Sequence, residues 1–338
     1  MPSGERVEEF TLSNRRGLTL KVITYGGIIN ELHVPDRTGS FADVVLGFDN
    51  LQDYLGEQPY LGAIIGRVAG RITGGRFTLE GRDCQLAVNN PPNHLHGGWV
   101  GFDKRNWKPT VLTLENGIPG LKLAYRSPDG EEGYPGNVDA FVTYLLSDDD
   151  EVIIRYEATT DRATPLSLTN HSYFNLAGEG SGSIEGQSLQ IFSEETAATD
   201  PSMTLLGKRL SVVGEVTDFR QTKKLGDSIP LLMNAHGDNY FFRRNARRTP
   251  ELVARMSDPA SGRVMEVSTT EDCMQVYTAA FMDGTLRGKC GQTYEKHSGL
   301  ALECQGYPDG VSHPELGDII LRPGETYRQT TIYKFATE

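Results

Sequence analysis

Apolar side chains recur at every second position in one segment after another, and this period is what most limits the folds open to the chain. In residues 151–157, Val152, Ile154 and Tyr156 fall on one face and Glu151, Ile153, Arg155 and Glu157 on the other. A period of two describes a half-buried strand, not a helix. Residues 141–146 are also strand-like, and the polar turn 147–150 joins the two segments as a hairpin. Leu121, Leu123 and Tyr125 alternate in the same way, and 252–256 and 264–267 flank a turn at 258–263. Further strands are predicted at 18–25, 28–34, 77–88, 189–192, 275–281, 300–305 and 326–335. Helix signals are poor: Asp49-Asn-Leu-Gln52 resembles a capping box before a short helix ending near Gly56. With 38 glycines and 17 prolines punctuating many short elements, the expectation is an all-β fold. Its form would be one domain over residues 1–338, a large antiparallel β-sandwich bigger than an immunoglobulin-type one. Two tandem β domains are the alternative.

Charge narrows the function classes. The chain carries 45 acidic and 33 basic residues, a formal net charge of -12, which repels phosphate backbones, so no nucleic-acid partner is expected. The densest basic cluster, Arg243, Arg244, Arg247 and Arg248, reads as a solvated loop. No run of 18 apolar residues occurs and the N-terminus lacks the apolar stretch of a signal peptide, so a cytoplasmic protein with no membrane partner is expected. Cys84, Cys273, Cys290 and Cys304 are widely spaced with no CxxC pair, which reads as free thiols in a reducing compartment, with disulfides as the alternative.

Three groups of polar residues interrupt the β pattern. In Asn89-Asn-Pro-Pro-Asn-His94-Leu-His96-Gly-Gly98, two histidines two apart on an extended segment share a face, and the glycines permit close backbone approach. A His-x-His pair also suggests a metal, but no neighbouring His or Glu completes a ligand set, and no metal is expected. In Thr169-Asn-His171-Ser-Tyr173-Phe-Asn175-Leu176, an extended chain puts His171, Tyr173 and Asn175 on one face, opposite Ser172, Phe174 and Leu176. In Leu300-Ala-Leu-Glu303-Cys-Gln305, Leu302 and Cys304 fit the core face and Glu303 and Gln305 the other. A carboxylate inside so apolar a strand is costly unless solvated, hydrogen-bonded or functional. Asp238 lies in a glycine-marked turn before the aromatic run 240–242. Carboxylates, imidazoles and amides together suit a neutral polyhydroxylated ligand.

At this point the sequence resembles the aldose 1-epimerase (galactose mutarotase) family over nearly its whole length. The resemblance rests on Asp43-Val-Val-Leu-Gly-Phe48, Gly66-Arg-Val-Ala-Gly-Arg71, Asn93-His-Leu-His-Gly-Gly98 with Gly101-Phe-Asp-Lys104, Ser127-Pro-Asp-Gly-Glu-Glu-Gly-Tyr-Pro-Gly136, Thr169-Asn-His-Ser-Tyr-Phe-Asn-Leu176 and the Glu303 strand. It implies a galactose mutarotase-like supersandwich with a shallow sugar cleft. It implies that Glu303 is the general base and His171 the general acid, that His96 helps place or polarise the ring oxygen, and that Asp238, Arg71, Tyr173 and Gln275 complete sugar binding. It implies no metal and no organic cofactor; the expected partner is a small sugar, with a monomer or homodimer as the working unit. The family pattern commonly has Asn where this chain has Gly70, and Gly-Asn where it has Ala279-Ala280, so the preferred sugar is left open.

The resulting expectation is an enzyme that interconverts the α and β anomers of free aldoses such as galactose or glucose. The alternatives are a specialised epimerase for another cyclic hemiacetal or a hexose-6-phosphate, a glycoside hydrolase using Asp238 and Glu303, and a non-catalytic sugar-binding protein on the same fold.

Overall fold

The structure is a computed structural model of the chain, and it describes residues 1, 4–114, 117–232, 237–242 and 249–338. His236 and the cluster Arg243, Arg244, Arg247 and Arg248 lie outside the described residues.

Antiparallel sheets dominate, as the period-two pattern predicts. Nine strands form the largest sheet, in the spatial order Lys108–Thr113, Pro119–Ser127, Val138–Leu146, Glu151–Thr160, Tyr327–Thr337, Arg263–Thr269, Glu251–Ser257, Ser188–Ile191 and Lys223–Lys224. Six strands form a second, in the order Tyr173–Phe174, Leu300–Gln305, Cys273–Tyr277, Asp238–Phe241, Glu195–Thr199 and Leu205–Ser211. A four-stranded meander, Glu9–Ser13, Thr19–Ile23, Ile29–Pro35 and Phe41–Asp43, precedes them. This is the mutarotase-like β-sandwich.

One core joins the layers. The predicted inward residues Val152, Ile154 and Tyr156 are buried with Val142, Tyr144, Val267 and Tyr333 of the same sheet. They pack in one cluster with Leu300, Leu302, Cys304, Met274 and Val276 of the six-stranded sheet. The Tyr333 hydroxyl donates to the Leu302 carbonyl (3.2 Å) and the Gln329 amide to the Cys304 carbonyl (2.9 Å). Both bonds run between the two sheets and brace the Glu303 strand from its core side.

Several expectations need correction. The predicted strand 77–88 is two strands, Arg76–Leu79 and Arg82–Gln85, folded at Glu80-Gly81, where both residues have positive φ (50° and 75°). The strand predicted at 275–281 is Cys273–Tyr277, and Ala279 adopts φ 53°, which ends the extended run. The helix is the single turn Leu51–Tyr54, capped one residue later than the sequence suggested: Asn50 accepts from the Asp53 N–H (3.2 Å), while Asp49 accepts from Cys290 N–H (2.8 Å). All four cysteines are free thiols. No described helix is long and apolar enough to cross a membrane.

Candidate active site

The alternation along Leu300–Gln305 sends Leu302 and Cys304 into the core, which leaves Ala301, Glu303 and Gln305 on the opposite face of the six-stranded sheet. Register extends this face sideways. Glu303 pairs with Gln275, and Gln275 pairs in turn with Asn239. The three therefore form one row across the sheet, because side chains at paired positions point to the same face. Asp238 begins its strand, half-buried, opposite Val276 and one position before that row.

His171 comes to Glu303 from a break between strands. Thr169–Asn170 pairs with Ile64–Ile65, and Tyr173–Phe174 pairs with Leu300–Ala301, so the predicted continuous strand is interrupted at His171-Ser172. The His171 Nε2 lies 3.4 Å from Glu303 Oε1, with both side chains buried. The His171 Nδ1 and Glu303 Oε2 are buried without a protein hydrogen-bond partner. Such atoms are expensive to leave unpaired, and a polyhydroxylated ligand would satisfy them. Tyr173 stands beside His171, rings 4.9 Å apart, with its hydroxyl donating to the Pro59 carbonyl (3.0 Å). Asn175, predicted on the same face, is instead fully buried: its amide donates to the carbonyls of Gly182 and Ser298 and accepts from Gln187.

The two histidines of the His-x-His pair part company. His94, in a two-residue strand, is held between the Ala87 carbonyl and the Tyr134 hydroxyl, 2.7 Å from each. His96 has φ 51°, which turns it out of the strand and sets its ring 5.3 Å from that of His171. Gly97 must be glycine, since at φ 85° a Cβ would lie 1.8 Å from the Gly66 carbonyl oxygen. Glu132 closes the loop by accepting from the Trp99 and Val100 N–H groups (3.0 Å each). Buried Arg67 ties down the Ser127–Gly136 motif through Ser127, Pro128 and Pro135. Two of the sequence motifs thus serve to position His96.

His96, His171 and Glu303 each place a ligand atom within 4.8 Å of the others, so the fold assembles a trio that sequence spacing did not reveal. The His96 tautomer argues against a metal there. Its Nδ1 accepts from the Gly70 N–H (3.1 Å), so Nε2 carries the proton. A metal on Nε2 would force a proton onto Nδ1, against a backbone donor, whereas ligating imidazoles normally donate from their second nitrogen. His96 is instead a neutral N–H donor.

Electrostatics separates the groups. Burial raises the Glu303 pKa to about 8, opposed by the nearby Arg71 guanidinium. Burial lowers His171 to about 4 and His96 well below the usual imidazole value. Arg71 is half-buried, and its Nε donates to Asn90 Oδ1 (3.0 Å).

The model of the family described as aldose 1-epimerase matches residues 8–334 of the chain. The chain belongs to that family. It is 45% identical over 337 residues to the galactose mutarotase of Mus musculus, covering 99% of this chain and 96% of that protein. It is 35% identical to the aldose 1-epimerase of Escherichia coli K12, covering 100% and 97%. Among solved structures, a GalM/aldose epimerase homologue from C. elegans matches with a TM-score of 0.90 at 28% identity, covering 98% of this chain and 99% of that one. The galactose 1-epimerase of Lactobacillus acidophilus matches with a TM-score of 0.84 at 25% identity, covering 98% and 99%. With family membership comes aldose 1-epimerase activity in general, an isomerase chemistry at the anomeric carbon.

Sequence reasoning gave two residues of this region no role in the site. Asn239 lies on Glu303's row, a place that only the register reveals. Tyr60, whose ring contacts both His96 and His171, sits in a segment with no strand or helix signal.

Proposed function

We propose that this aldose 1-epimerase interconverts the α and β anomers of free galactose or glucose by acid–base-catalysed ring opening and reclosure. The observation that carries the reading is the buried contact between His171 and Glu303. With one pKa pushed up and the other down, the pair holds one proton across the neutral range. Neutral Glu303 with neutral His171 contains the same number of protons as a Glu303 carboxylate with an imidazolium. Burial favours the first arrangement in the empty site; sugar hydroxyls and Arg71 favour the second once bound.

In that second arrangement, Glu303 removes the proton from the anomeric hydroxyl while His171 delivers one to the ring oxygen. The C1–O5 bond breaks and the C1=O1 double bond forms. Rotation about C1–C2 presents the other carbonyl face, and both transfers reverse as the ring closes. The protonation state of the pair at the end equals that at the start, so the cycle repeats without outside acid or base. His96 donates its Nε2–H toward the ring oxygen, Gln275 binds hydroxyls, and Tyr173 holds the His171 ring. The Arg71 guanidinium acts on Glu303 in the direction that favours its carboxylate. The four free thiols support a reducing, cytoplasmic setting.

Polarimetry on freshly dissolved α-galactose and α-glucose, with Glu303→Gln as control, tests this reading. The variant is expected to lose roughly 10²–10⁴-fold in turnover, the scale of a general acid–base group, while still binding sugar. A folded Glu303→Gln protein with wild-type turnover would overturn the reading.

A further inference from the structure

Tyr60 occupies an unusual position. It is a bulky residue in left-handed backbone, φ 60°, a region where non-glycine residues are uncommon and where strain tends to mark function. His96, whose ring meets that of Tyr60, is also left-handed (φ 51°). The bend is anchored on every side. Leu61 N–H donates to the Gln58 side chain (2.7 Å) and Ala63 N–H to the Tyr60 carbonyl (3.1 Å). Gly62 N–H donates to the His171 carbonyl (3.1 Å), and His171 N–H donates to the Ala63 carbonyl (2.9 Å). Pro59 accepts the Tyr173 hydroxyl. The segment is thus bolted to the backbone of the residue that carries the acid.

The ring that this bend presents meets both imidazoles. It lies edge-on to His96 at 4.7 Å between centroids and stacks on His171 at 5.8 Å with planes 28° apart. The Lys104 ammonium lies 5.4 Å from the centre of the same ring and is neutralised by Asp103 at 2.7 Å. The charged groups that act on the phenol are Asp103, Arg71 and Glu303.

We propose that Tyr60 is a positioning residue of this acid–base centre, its ring fixing the orientation of the His96 and His171 imidazoles and shielding them from water. The inference rests on the reading of His171 as proton donor. The effect comes from the ring and not from the hydroxyl. Stacking restricts rotation of His171 about its side-chain bonds, and the edge contact holds His96 at the angle at which Nδ1 meets the Gly70 N–H. Shielding follows from the same contact, because the ring occupies volume that water would otherwise fill. Both effects preserve the neutral imidazoles that the empty site requires.

The experiment compares Tyr60→Phe, Tyr60→Leu and Tyr60→Gly with wild type and with Glu303→Gln. Glycine suits the left-handed backbone, so Tyr60→Gly removes the ring without adding backbone strain. Mutarotation is followed by polarimetry on α-galactose and α-glucose, and histidine titration by NMR on the sugar-free proteins. Ring loss in the Leu and Gly variants is expected to lower kcat about 10²-fold, the cost of a misplaced catalytic group, with KM within about threefold. The His171 resonance should titrate higher in both, moving from about 4 toward the ordinary 6.5. Tyr60→Phe should recover turnover to within about threefold of wild type and keep the low titration. Wild-type kcat and titration in the Leu and Gly variants would overturn the proposal. So would a pure KM effect, which would make Tyr60 a sugar contact, or a Phe variant as impaired as Leu, which would assign the role to the hydroxyl. Wild-type protein inactive on every aldose tested would instead sink the functional reading, and the NMR titrations would still decide whether the ring controls His171.

Discussion

His171 Nε2 stands 3.4 Å from Glu303 Oε1, in contact but longer than a settled hydrogen bond. Burial holds each in its neutral form. The pair therefore titrates as a unit.

The first prediction is the pH profile of kcat/KM. Below about 4, His171 gains a proton while Glu303 is already protonated, and no base remains. Above about 8, Glu303 loses its proton while His171 is neutral, and no acid remains. Activity should hold a plateau between these limbs and fall on both sides. Stopped-flow polarimetry across pH 3.5–9.5 checks this; an alkaline limb near 6 would show that His171 titrates alone.

The second concerns stability. The Glu303 pKa is raised from 4.5 to about 8, so folding is penalised once the unfolded chain ionises. The penalty is absent below the unfolded value, grows as pH rises, and is complete above the folded value. Each unit is worth about 1.4 kcal/mol, giving a penalty on the order of a few kcal/mol. Glu303→Gln should melt higher than wild type at pH 8, and the difference should shrink at pH 4.5. Calorimetry at both values measures it; equal melting temperatures at pH 8 would place Glu303 in a better solvated state.

The third concerns Gly70. At φ 77°, a Cβ there would stand 2.6 and 2.7 Å from the Pro308 ring. Gly70 also holds His96 twice, through its N–H to Nδ1 and its carbonyl to the His96 N–H (3.0 Å). Gly70→Ala should cost about 1–3 kcal/mol, as overpacking does, and lower turnover by displacing His96. Gly70→Asn meets the same obstacle, so a simple gain of the family's usual asparagine contact is not expected. Urea melts beside polarimetry test this; an unchanged melt would show that Pro308 yields freely.

The fourth concerns metals. Because the Gly70 N–H occupies His96 Nδ1, dialysis against a chelator should leave mutarotation unchanged. Activity lost on dialysis and restored by a single divalent metal would refute the tautomer assigned to His96.

The sequence by itself determined the strand at 300–305, much of the strand at 151–160, and their inward faces. The alternation in 151–157 and 300–305 is a local record of burial, and it placed Val152, Ile154, Tyr156, Leu302 and Cys304 in the core where they lie. It also put Glu303 off the core face, since a side chain's face follows from its neighbours' once the chain is extended. What alternation records ends where the chain turns. His94 and His96 look equivalent in an extended segment, yet a left-handed backbone at His96, permitted by Gly97 packed on the Gly66 carbonyl, sends them to different places. The meeting of His96, His171, Glu303 and Tyr60 was decided by tertiary structure alone. It depends on the register that sets Gln275 and Asn239 beside Glu303, and on the bend that ties Tyr60 to His171. Those contacts join residues far apart in the chain, and no local period carries information about them.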